Sequence, residues 1–447
     1  MINNKSPQLP PEFVFGVKGE NLFEALCSEY FLNEGFRAVK RNGGSAGIDQ
    51  QNIQDFEANL REELQRLQKE LEEWMYQPQP VRCVEIPKPD GKGVRKLGIP
   101  CTRDRVVQAA LKGLLEPLLD PQFSEHSYGF RPGRNQRQAV EAAQKIVQER
   151  GKEIVVDIDL SKFFDRIHHD RLISRLSERI PDKRILRLIG KILRSGIMED
   201  GIVKPTEEGS VQGSPLSPLL SNVVLDELDK ELEVRGLEFC RFADDCNIFV
   251  KTKKSGQRVM ASVRRFIEKK LKLVVNEEKS KIARTSQVKF LGMTIVDGMI
   301  AISRKSYLKA MRHVKELTPR GTHQTLSTTI EAINKWYRGW SNYYEMTQFP
   351  SQLVAIEAHI RRRLRSRLVD QQKSRRNLFN KLKQRGVHYK MAANAAFSQK
   401  KRWALSHTVA VERAFPNRWF TQEMGLLIRT NETHPHWQNR RKWVSLT

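Results

Sequence analysis

Residues 239–250 read FCRFADDCNIFV. Nearly all of this stretch is apolar or aromatic, which is typical of a buried strand, yet Asp244 and Asp245 lie side by side at its centre. Because burying an isolated ionised carboxylate is very costly, the pair must either reach water at a tight turn or be held by something positive. A lone Asp-Asp pair most often marks a solvated turn, so the rest of the chain has to decide between the two.

A second acidic segment, EIVVDIDLSKFFDRI (153–167), resembles a strand that runs into a turn. Asp157 and Asp159 share one face of that strand, because side chains alternate with period two. Three aspartates brought close together would repel one another without a metal ion. Nucleotidyl transfer uses such acids to hold two Mg²⁺ ions about 4 Å apart, around the attacking 3′-hydroxyl and the reacting phosphate. The pattern therefore predicts that FADD is a hairpin turn whose carboxylates face a cleft.

An aromatic residue, Phe164, follows Asp159 by five positions. At that place a ring could lie under the sugar of an incoming nucleotide and exclude a 2′-hydroxyl. Taken alone, the pair Phe163-Phe164 would more often belong to a hydrophobic core.

The charge of the chain is strongly positive and unevenly distributed. The 447 residues carry a formal net charge of +26, with a pI near 9.9. Residues 301–447 hold 29 lysines and arginines against 8 acidic residues, whereas residues 1–300 hold 49 against 44. This asymmetry favours a nucleic-acid partner for the last third, although a basic protein can also be merely non-specifically sticky.

Several classes of protein are disfavoured by the sequence. The sequence has no run of about 18 apolar residues, so it predicts no membrane span. Residues 1–20 lack the apolar core of a signal peptide. The five cysteines include no CxxC pair, which favours a reducing compartment and disfavours a structural zinc. We therefore expect a cytoplasmic protein without a membrane partner.

Periodicity and turn signals give a coarse map of the chain. Apolar residues every three or four positions predict a helix at 52–76, and Asp90-Gly91 predicts a turn between two short strands in 81–100. A further helix is expected near 256–272. Helices and strands mix without regular βαβ alternation, and the change in composition near residue 300 predicts a domain boundary.

Six motifs in order resemble the reverse transcriptases of bacterial group II introns, over about residues 20–430. They are PKPDGKGVRKLGIP (87–100), SYGFRPGR (127–134), DIDLSKFFDRIHHD (157–170), VQGSPLSPLLSN (211–222), RFADD (241–245) and KFLGM (289–293). The resemblance implies an α+β right-hand polymerase with fingers, palm and thumb, and a basic all-helical C-terminal third. The expected domains are a flexible leader (1–20), an N-terminal extension with fingers (21–125), the remaining fingers and palm (126–300), a thumb or X maturase domain (301–398) and a short basic DNA-binding tail without a nuclease domain (399–447).

The resemblance also implies roles for residues that match the family motifs. Metal binding and catalysis fall to Asp159, Asp244 and Asp245, with two Mg²⁺ ions for which Mn²⁺ could substitute. Contacts to the incoming nucleotide fall to Lys88, Arg95, Phe164, Gln212 and Lys279. Support of the primer end falls to Phe290, Leu291 and Gly292. The family usually has Tyr where this chain has Phe242, a change that removes one hydroxyl and leaves the carboxylates in place.

The basic third carries two further signals. Ile333, Trp336, Trp340 and Tyr344 have helical spacing, which favours an aromatic core stripe in a domain that resembles the RNA-binding thumb. Residues 359–376, HIRRRLRSRLVDQQKSRR, predict a helical ridge that tracks phosphates. The arginines assigned to RNA binding are Arg361, Arg365, Arg375 and Arg376. His434 and His436 have no cysteine near them and are interpreted as non-catalytic.

The leading hypothesis is an RNA-directed DNA polymerase that also binds intron RNA and assists splicing and mobility. Its partners would be an RNA template, a DNA or RNA primer, dNTPs, folded intron RNA and target DNA. One alternative is a non-catalytic RNA chaperone, which the intact aspartates oppose. Another is a host-adopted reverse transcriptase in DNA repair or defence, which the sequence barely separates from the first. An RNA-dependent RNA polymerase is opposed by Phe164.

Overall fold

The computed structural model describes residues 21–87, 93–199, 202–204, 208–319 and 321–430. The expected leader (1–20), Lys88, the Asp90-Gly91 turn and the end of the expected tail (431–447) lie outside these ranges. Contacts divide the chain into two units, Met1–Arg284 and Thr285–Thr447. Among the helices of the described part, none is long and apolar enough to cross a membrane.

Helices of the N-terminal unit surround two sheets. They are α1 (Leu22–Cys27), α2 (Glu29–Asn42), α3 (Ile53–Ala58), α4 (Leu60–Glu72), α5 (Thr102–Leu119), α6 (Gln136–Arg150), α7 (His169–Ser177), α8 (Lys183–Leu193), α9 (Ser217–Val234) and α10 (Lys253–Phe266). The helix predicted at 52–76 is thus two helices, which meet at Asn59. The first of them begins at a capping box, in which Asn52 and Asp55 exchange side-chain and backbone hydrogen bonds.

One sheet of this unit contains the predicted hairpin of residues 81–100. Its strands are β1 (Val81–Pro87), β2 (Val94–Ile99), β4 (Ile197–Glu199) and β5 (Ile202–Lys204), in the order β2-β1-β4-β5. The two arms of the hairpin are antiparallel, in a register that pairs Arg82 with Ile99 and Pro87 with Val94. Both arms were predicted correctly.

The other sheet has the order β6-β7-β3-β8 and is antiparallel throughout. Its strands are β3 (Ile154–Ile158), β6 (Glu238–Phe242), β7 (Asp245–Val250) and β8 (Lys281–Arg284). Buried apolar residues of β3, β7 and the helices α9 and α10 join one continuous core beneath this sheet. β3 and β7 are its two central strands, so each of them pairs with a neighbour on both edges.

The C-terminal unit is a bundle of helices preceded by a hairpin, β9 (Met293–Val296) and β10 (Met299–Ile302). The composition had predicted a boundary near residue 300, whereas this hairpin belongs to the helical unit. The helices are α11 (Arg304–Leu317), α12 (Leu326–Tyr344), α13 (Pro350–Gln371), α14 (Arg375–Gln384), α15 (Tyr389–Ala396), α16 (Arg402–Leu405) and α17 (Val409–Ala414). They enclose their own core, to which Ile333 and Tyr337 of α12 contribute wholly buried side chains.

Candidate active site

The register of the central strands brings the acidic segments together. Strand β3 pairs with β7 so that Asp157 lies opposite Asn247 and Ile158 opposite Cys246. Asp159 directly follows the last residue of β3, and Asp245 is the first residue of β7 and directly precedes Cys246. Both acidic segments therefore lie at the same end of the sheet. The predicted convergence of the two acidic motifs at one end of the sheet therefore follows from the strand pairing.

The predicted hairpin turn at FADD is present. Phe242 pairs with Asp245, so Ala243 and Asp244 form a two-residue turn. Ala243 has a φ of 56°, in the left-handed region that residues with a Cβ rarely adopt. Such a conformation costs on the order of 1 kcal/mol and persists only when surrounding contacts hold it. The contacts of two neighbouring segments provide that support.

The first support is Arg241, which has no exposed surface. Its Nε and Nη2 donate to the two carboxylate oxygens of Asp229 at 2.7 and 2.5 Å. Its Nη1 donates to the carbonyl oxygen of Ala243 at 2.9 Å and to Asn222 Oδ1 at 3.0 Å. The positive charge demanded by the acidic, apolar stretch is thus present, but it holds the backbone of the turn rather than the two aspartates. Sequence reasoning missed this role, although an arginine inside an apolar strand signals a buried acidic partner.

The second support is the segment that carries the SYGFRPGR motif. The backbone N–H of Tyr128 donates to the carbonyl of Arg241 at 2.9 Å, and Asn222 Nδ2 donates to the carbonyl of Gly129 at 2.9 Å. A Cβ at Gly129 would lie 2.2 Å from the backbone nitrogen of Ala243. Only glycine allows this approach, so the identity of residue 129 is tied to the position of the acidic turn.

Burial and several neighbouring groups shift the pKa of the Asp159 carboxyl group. Burial raises its pKa, and the negative charge of Asp244 raises it further, while Lys279 and a hydrogen bond with Asn276 act in the opposite direction. Lys279 Nζ lies 3.8 Å from Asp159 Oδ1. Lys279, which was predicted to contact the incoming nucleotide, therefore lies beside the predicted metal-binding acid. Asp159 is also anchored by its backbone, because its N–H donates to Ser280 Oγ at 3.1 Å.

The aspartates fit a hard divalent cation in donor chemistry, although they do not form a complete cage. Within the described residues, no three His, Cys, Asp or Glu side chains converge closely enough to hold a metal by themselves. Mg²⁺ commonly takes only one or two carboxylates and fills its remaining positions with water and substrate phosphates. The influence of Asp244 on the pKa of Asp159 places the two negative charges within interaction range, as such a shared cation requires.

Besides Lys279, the described residues assigned to the incoming nucleotide lie on three segments of the N-terminal unit. Phe164 belongs to a 3₁₀ turn (Phe163–Arg166), where Phe163 is buried and Phe164 is half-buried, with ring centroids 5.2 Å apart. The carbonyl of Gln212 accepts a hydrogen bond of 2.8 Å from the N–H of Gly98 on β2, and Arg95 of the same strand is exposed. The glycine-proline loop and strand β2 are therefore joined.

The residues assigned to the primer end form a turn in the C-terminal unit. Leu291 and Gly292 have φ angles of 50° and 88°, and Phe290 is buried. Tyr343 Oη donates to the carbonyl of Leu291 at 2.7 Å, while a Cβ at Gly292 would lie 2.5 Å from Tyr344 Oη. The end of the aromatic helix α12 therefore fixes the shape of this turn.

The predicted phosphate-tracking ridge does not form at Arg361 and Arg365. Both side chains are buried, with 9% and 6% of their surface exposed. Arg365 donates to the carbonyl of Phe415 at 2.9 Å and to Asn417 Oδ1 at 2.7 Å, which occupies its guanidinium inside the unit. Arg365 therefore links α13 to the segment that follows α17, whereas Arg361 lies 4.0 Å from Glu357 of its own helix. Arg375 and Arg376, by contrast, are exposed.

Comparison with known proteins agrees with this geometry. Residues 86–295 match the family described as reverse transcriptase (RNA-dependent DNA polymerase), and residues 308–386 match the group II intron, maturase-specific domain. Protein YkfC of Escherichia coli (strain K12) is 33% identical over 333 residues, which cover 66% of this chain and 84% of that protein. Group II intron-encoded protein LtrA of Lactococcus lactis subsp. cremoris is 29% identical over 340 residues, which cover 62% of this chain and 56% of LtrA. The retron Mx65 reverse transcriptase of Myxococcus xanthus is 30% identical over 51% of this chain and 54% of that protein.

The matched reverse transcriptase domain, with its acidic strand ends, is that of an RNA-directed DNA polymerase with a right-hand fold. With the maturase-specific domain following it, the chain belongs to the group II intron-encoded reverse transcriptases and maturases. Members of this class use divalent metal ions and bind nucleic acid. The chain spans about half the length of LtrA, so the substrates and partners of the whole protein belong to the proposal below.

Proposed function

We propose that this chain copies RNA into DNA with two Mg²⁺ ions held by Asp159, Asp244 and Asp245, and that Mn²⁺ can replace them. The pairing of Ile158 with Cys246 carries the proposal, because it brings the acids of both motifs to one end of the sheet. When bound, the divalent ions supply positive charge to the primer 3′-hydroxyl and the reacting phosphate.

The protein's own part in the reaction is to position the carboxylates and to neutralise the charge of the phosphates. Arg241 and Gly129 fix the acidic turn, so the carboxylates need little reorganisation before the reaction. Lys279, beside Asp159, is available for the phosphates of the incoming nucleotide, together with Arg95 and the undescribed Lys88. We assign Gln212 to the nucleotide and template, and Phe290, Leu291 and Gly292 to the primer end.

The partners proposed are an RNA template, a DNA or RNA primer, dNTPs, folded intron RNA and target DNA. The basic C-terminal unit supports the RNA-binding part of this list, because its cations greatly outnumber its acids. Binding of folded RNA would rest on shape and phosphate contacts and would not require the aspartates. Polymerisation and splicing assistance are therefore separable by mutation.

The first test is primer extension on an RNA template with dNTPs and Mg²⁺. Asp244→Asn keeps the size of the side chain and removes the charge that would bind metal, so we expect cDNA synthesis to fall by at least about 1000-fold, a value typical for loss of an essential electrostatic group. RNA affinity, measured in parallel, should stay within about twofold of the wild type. Full-length cDNA from the variant, or none from the wild type, would refute the assignment.

The second test concerns Phe164 as the residue that excludes a 2′-hydroxyl. Phe164→Ala removes the ring, so we expect the preference for dNTPs over rNTPs to fall by about 10- to 100-fold, chiefly through better use of rNTPs. Phe163 is the matched control, because it is buried in the core and Phe163→Leu should leave the preference unchanged. An unchanged preference in Phe164→Ala would remove the residue from the nucleotide site.

A further inference from the structure

Three aromatic rings of the C-terminal unit adjoin one another: the half-buried Phe379 of α14, the exposed Tyr389 of α15 and the exposed Phe397, which directly follows α15. The ring centroid of Phe379 lies 5.3 Å from that of Tyr389 and 5.8 Å from that of Phe397. Tyr389 and Phe397 are each 60% exposed, more than any other aromatic side chain in the described ranges. Exposed aromatic surface of this kind is disfavoured unless it meets a partner.

The stretch of sequence that carries these rings has charged residues of one sign. Residues 371–411 contain no Asp or Glu. Their cations are Lys373, Arg375, Arg376, Lys381, Lys383, Arg385, Lys390, Lys400, Lys401 and Arg402. Lys383 Nζ lies 5.4 Å from the ring centroid of Tyr389, so positive charge reaches the aromatic surface itself. A partner that covers these rings must therefore be polyanionic and must offer flat apolar groups.

We propose that Tyr389, Phe379 and Phe397 form a stacking platform for unpaired bases of single-stranded RNA. This inference rests on the proposed RNA-binding function and specifies one site for it. Aromatic side chains beside cations are how proteins bind single strands, because every base has a face that can stack and every phosphate a charge. The rings of Tyr389 and Phe397 lie on either side of a shared neighbour, Phe379, so we assign them to different nucleotides.

The platform is distinct from a purely electrostatic surface. Bases of an intact RNA duplex are paired and stacked on one another, so they cannot reach the rings, whereas their phosphates still attract the cations. Double-stranded RNA therefore contacts only the charges of this surface. The strand state of the RNA is the variable that separates the two modes of binding.

The experiment compares the full chain with the double variant Tyr389→Ala/Phe397→Ala. Binding of a fluorescent 20-nucleotide oligouridine and of a 20-base-pair RNA duplex is measured at the same salt concentration. We expect the double variant to bind oligouridine at least tenfold more weakly and the duplex within twofold of the wild type. The aromatic exchange Tyr389→Phe/Phe397→Tyr should retain wild-type binding of oligouridine.

Val409→Ala is the matched control, since Val409 lies in the same acid-free stretch and is 57% exposed but has no ring. It should leave both affinities unchanged. Equal losses for duplex and oligouridine, or no loss for either, would overturn the proposal. Primer extension by the wild type is measured separately. Its absence would refute the polymerase, whereas the comparison of oligouridine with duplex binding decides the platform.

Discussion

At the scale of single residues, the acidic turn depends on two buried residues, Arg241 and Gly129. Arg241 connects the carbonyl of Ala243 to the carboxylate of Asp229, and Gly129 leaves room for the same turn. A buried ion pair of this kind adds little net stability, but loss of one partner leaves an uncompensated charge inside the protein. This clamp, formed by Arg241, Asp229 and Gly129, therefore fixes the shape of the turn and adds little to the stability of the unit.

Gly129→Ala tests the close approach to the turn. The added methyl would lie 2.2 Å from the nitrogen of Ala243, so the turn has to move and cDNA synthesis should fall by at least about 100-fold, as for a misplacement of about 1 Å. Gly113→Ala on α5 is the matched control, because no atom lies within 4 Å of the added carbon. Primer extension and thermal unfolding are measured for both variants. Equal cDNA synthesis by the two would contradict the proposed role of Gly129 in positioning the turn.

The three aspartates could be proposed from the sequence because their chemistry is local to two short motifs. It could not identify the partners of Arg241, because Asp229 and Asn222 are separated from it in sequence and join it only through packing. The exposure of Arg361 and Arg365 was predicted wrongly for a related reason. A run of one charge sign suggested a surface helix, whereas long arginine stems can cross a core and place the charged group on backbone carbonyls.

At the scale of elements, helix α13 shows how a buried helix can contain a row of arginines. Ile356, Ile360 and Leu364 recur every four residues and are fully buried, so the sequence did contain the apolar stripe of a core helix. The arginines flank that stripe. By contrast, the antiparallel pairing of β1 with β2 was predictable from residues 81–100 alone, because its turn signal is local.

The start of helix α5 provides a pH-dependent contribution to stability. Burial raises the pKa of Asp104 to about 6 from an ordinary value of 3.8, although Tyr76 Oη and the N–H of Gln79 donate to its carboxylate at 2.7 and 2.9 Å. Between these two pH values the folded protein binds more protons at this site than the unfolded chain. Folding is therefore favoured below about pH 4 and loses that advantage as the pH rises through 6.

Asp104→Asn removes the titration, so the variant is the reference for this effect. The free energy of unfolding of the wild type, relative to that of the variant, should fall by up to about 3 kcal/mol as the pH is raised from 4 to 7. Urea unfolding at half-unit pH steps measures this difference. Parallel pH profiles for the two proteins would show that Asp104 does not titrate in this range.

At the scale of the whole molecule, the two units differ in charge as they differ in fold. The nearly balanced first 300 residues contain the acidic site, and the strongly basic remainder is helical. This division was predictable from composition, because charge on the surface does not depend on details of packing. The precise boundary was not, since the hairpin of β9 and β10 is apolar and carries no signal of the unit to which it belongs.

RNA binding by the whole chain should depend steeply on salt. Cations that neutralise phosphates release counterions, so the logarithm of the affinity should fall linearly with the logarithm of the salt concentration. Between 50 and 200 mM KCl we expect a loss of at least about 100-fold, measured by fluorescence anisotropy with an RNA of fixed length. Asp244→Asn should give the same slope, and a slope near zero would mean that the basic residues do not contact RNA.

The contacts of Arg241 also bear on the order in which the residues of the site are synthesised. Its partners, Asp229, Asn222 and Gly129, all precede Arg241, so the acidic turn has every contact it needs once the hairpin has left the exit tunnel. The supports of Asp159 come later, because Asn276 and Ser280 follow the hairpin. A nascent chain thus contains every partner of Arg241 named here before it contains the residues that anchor Asp159.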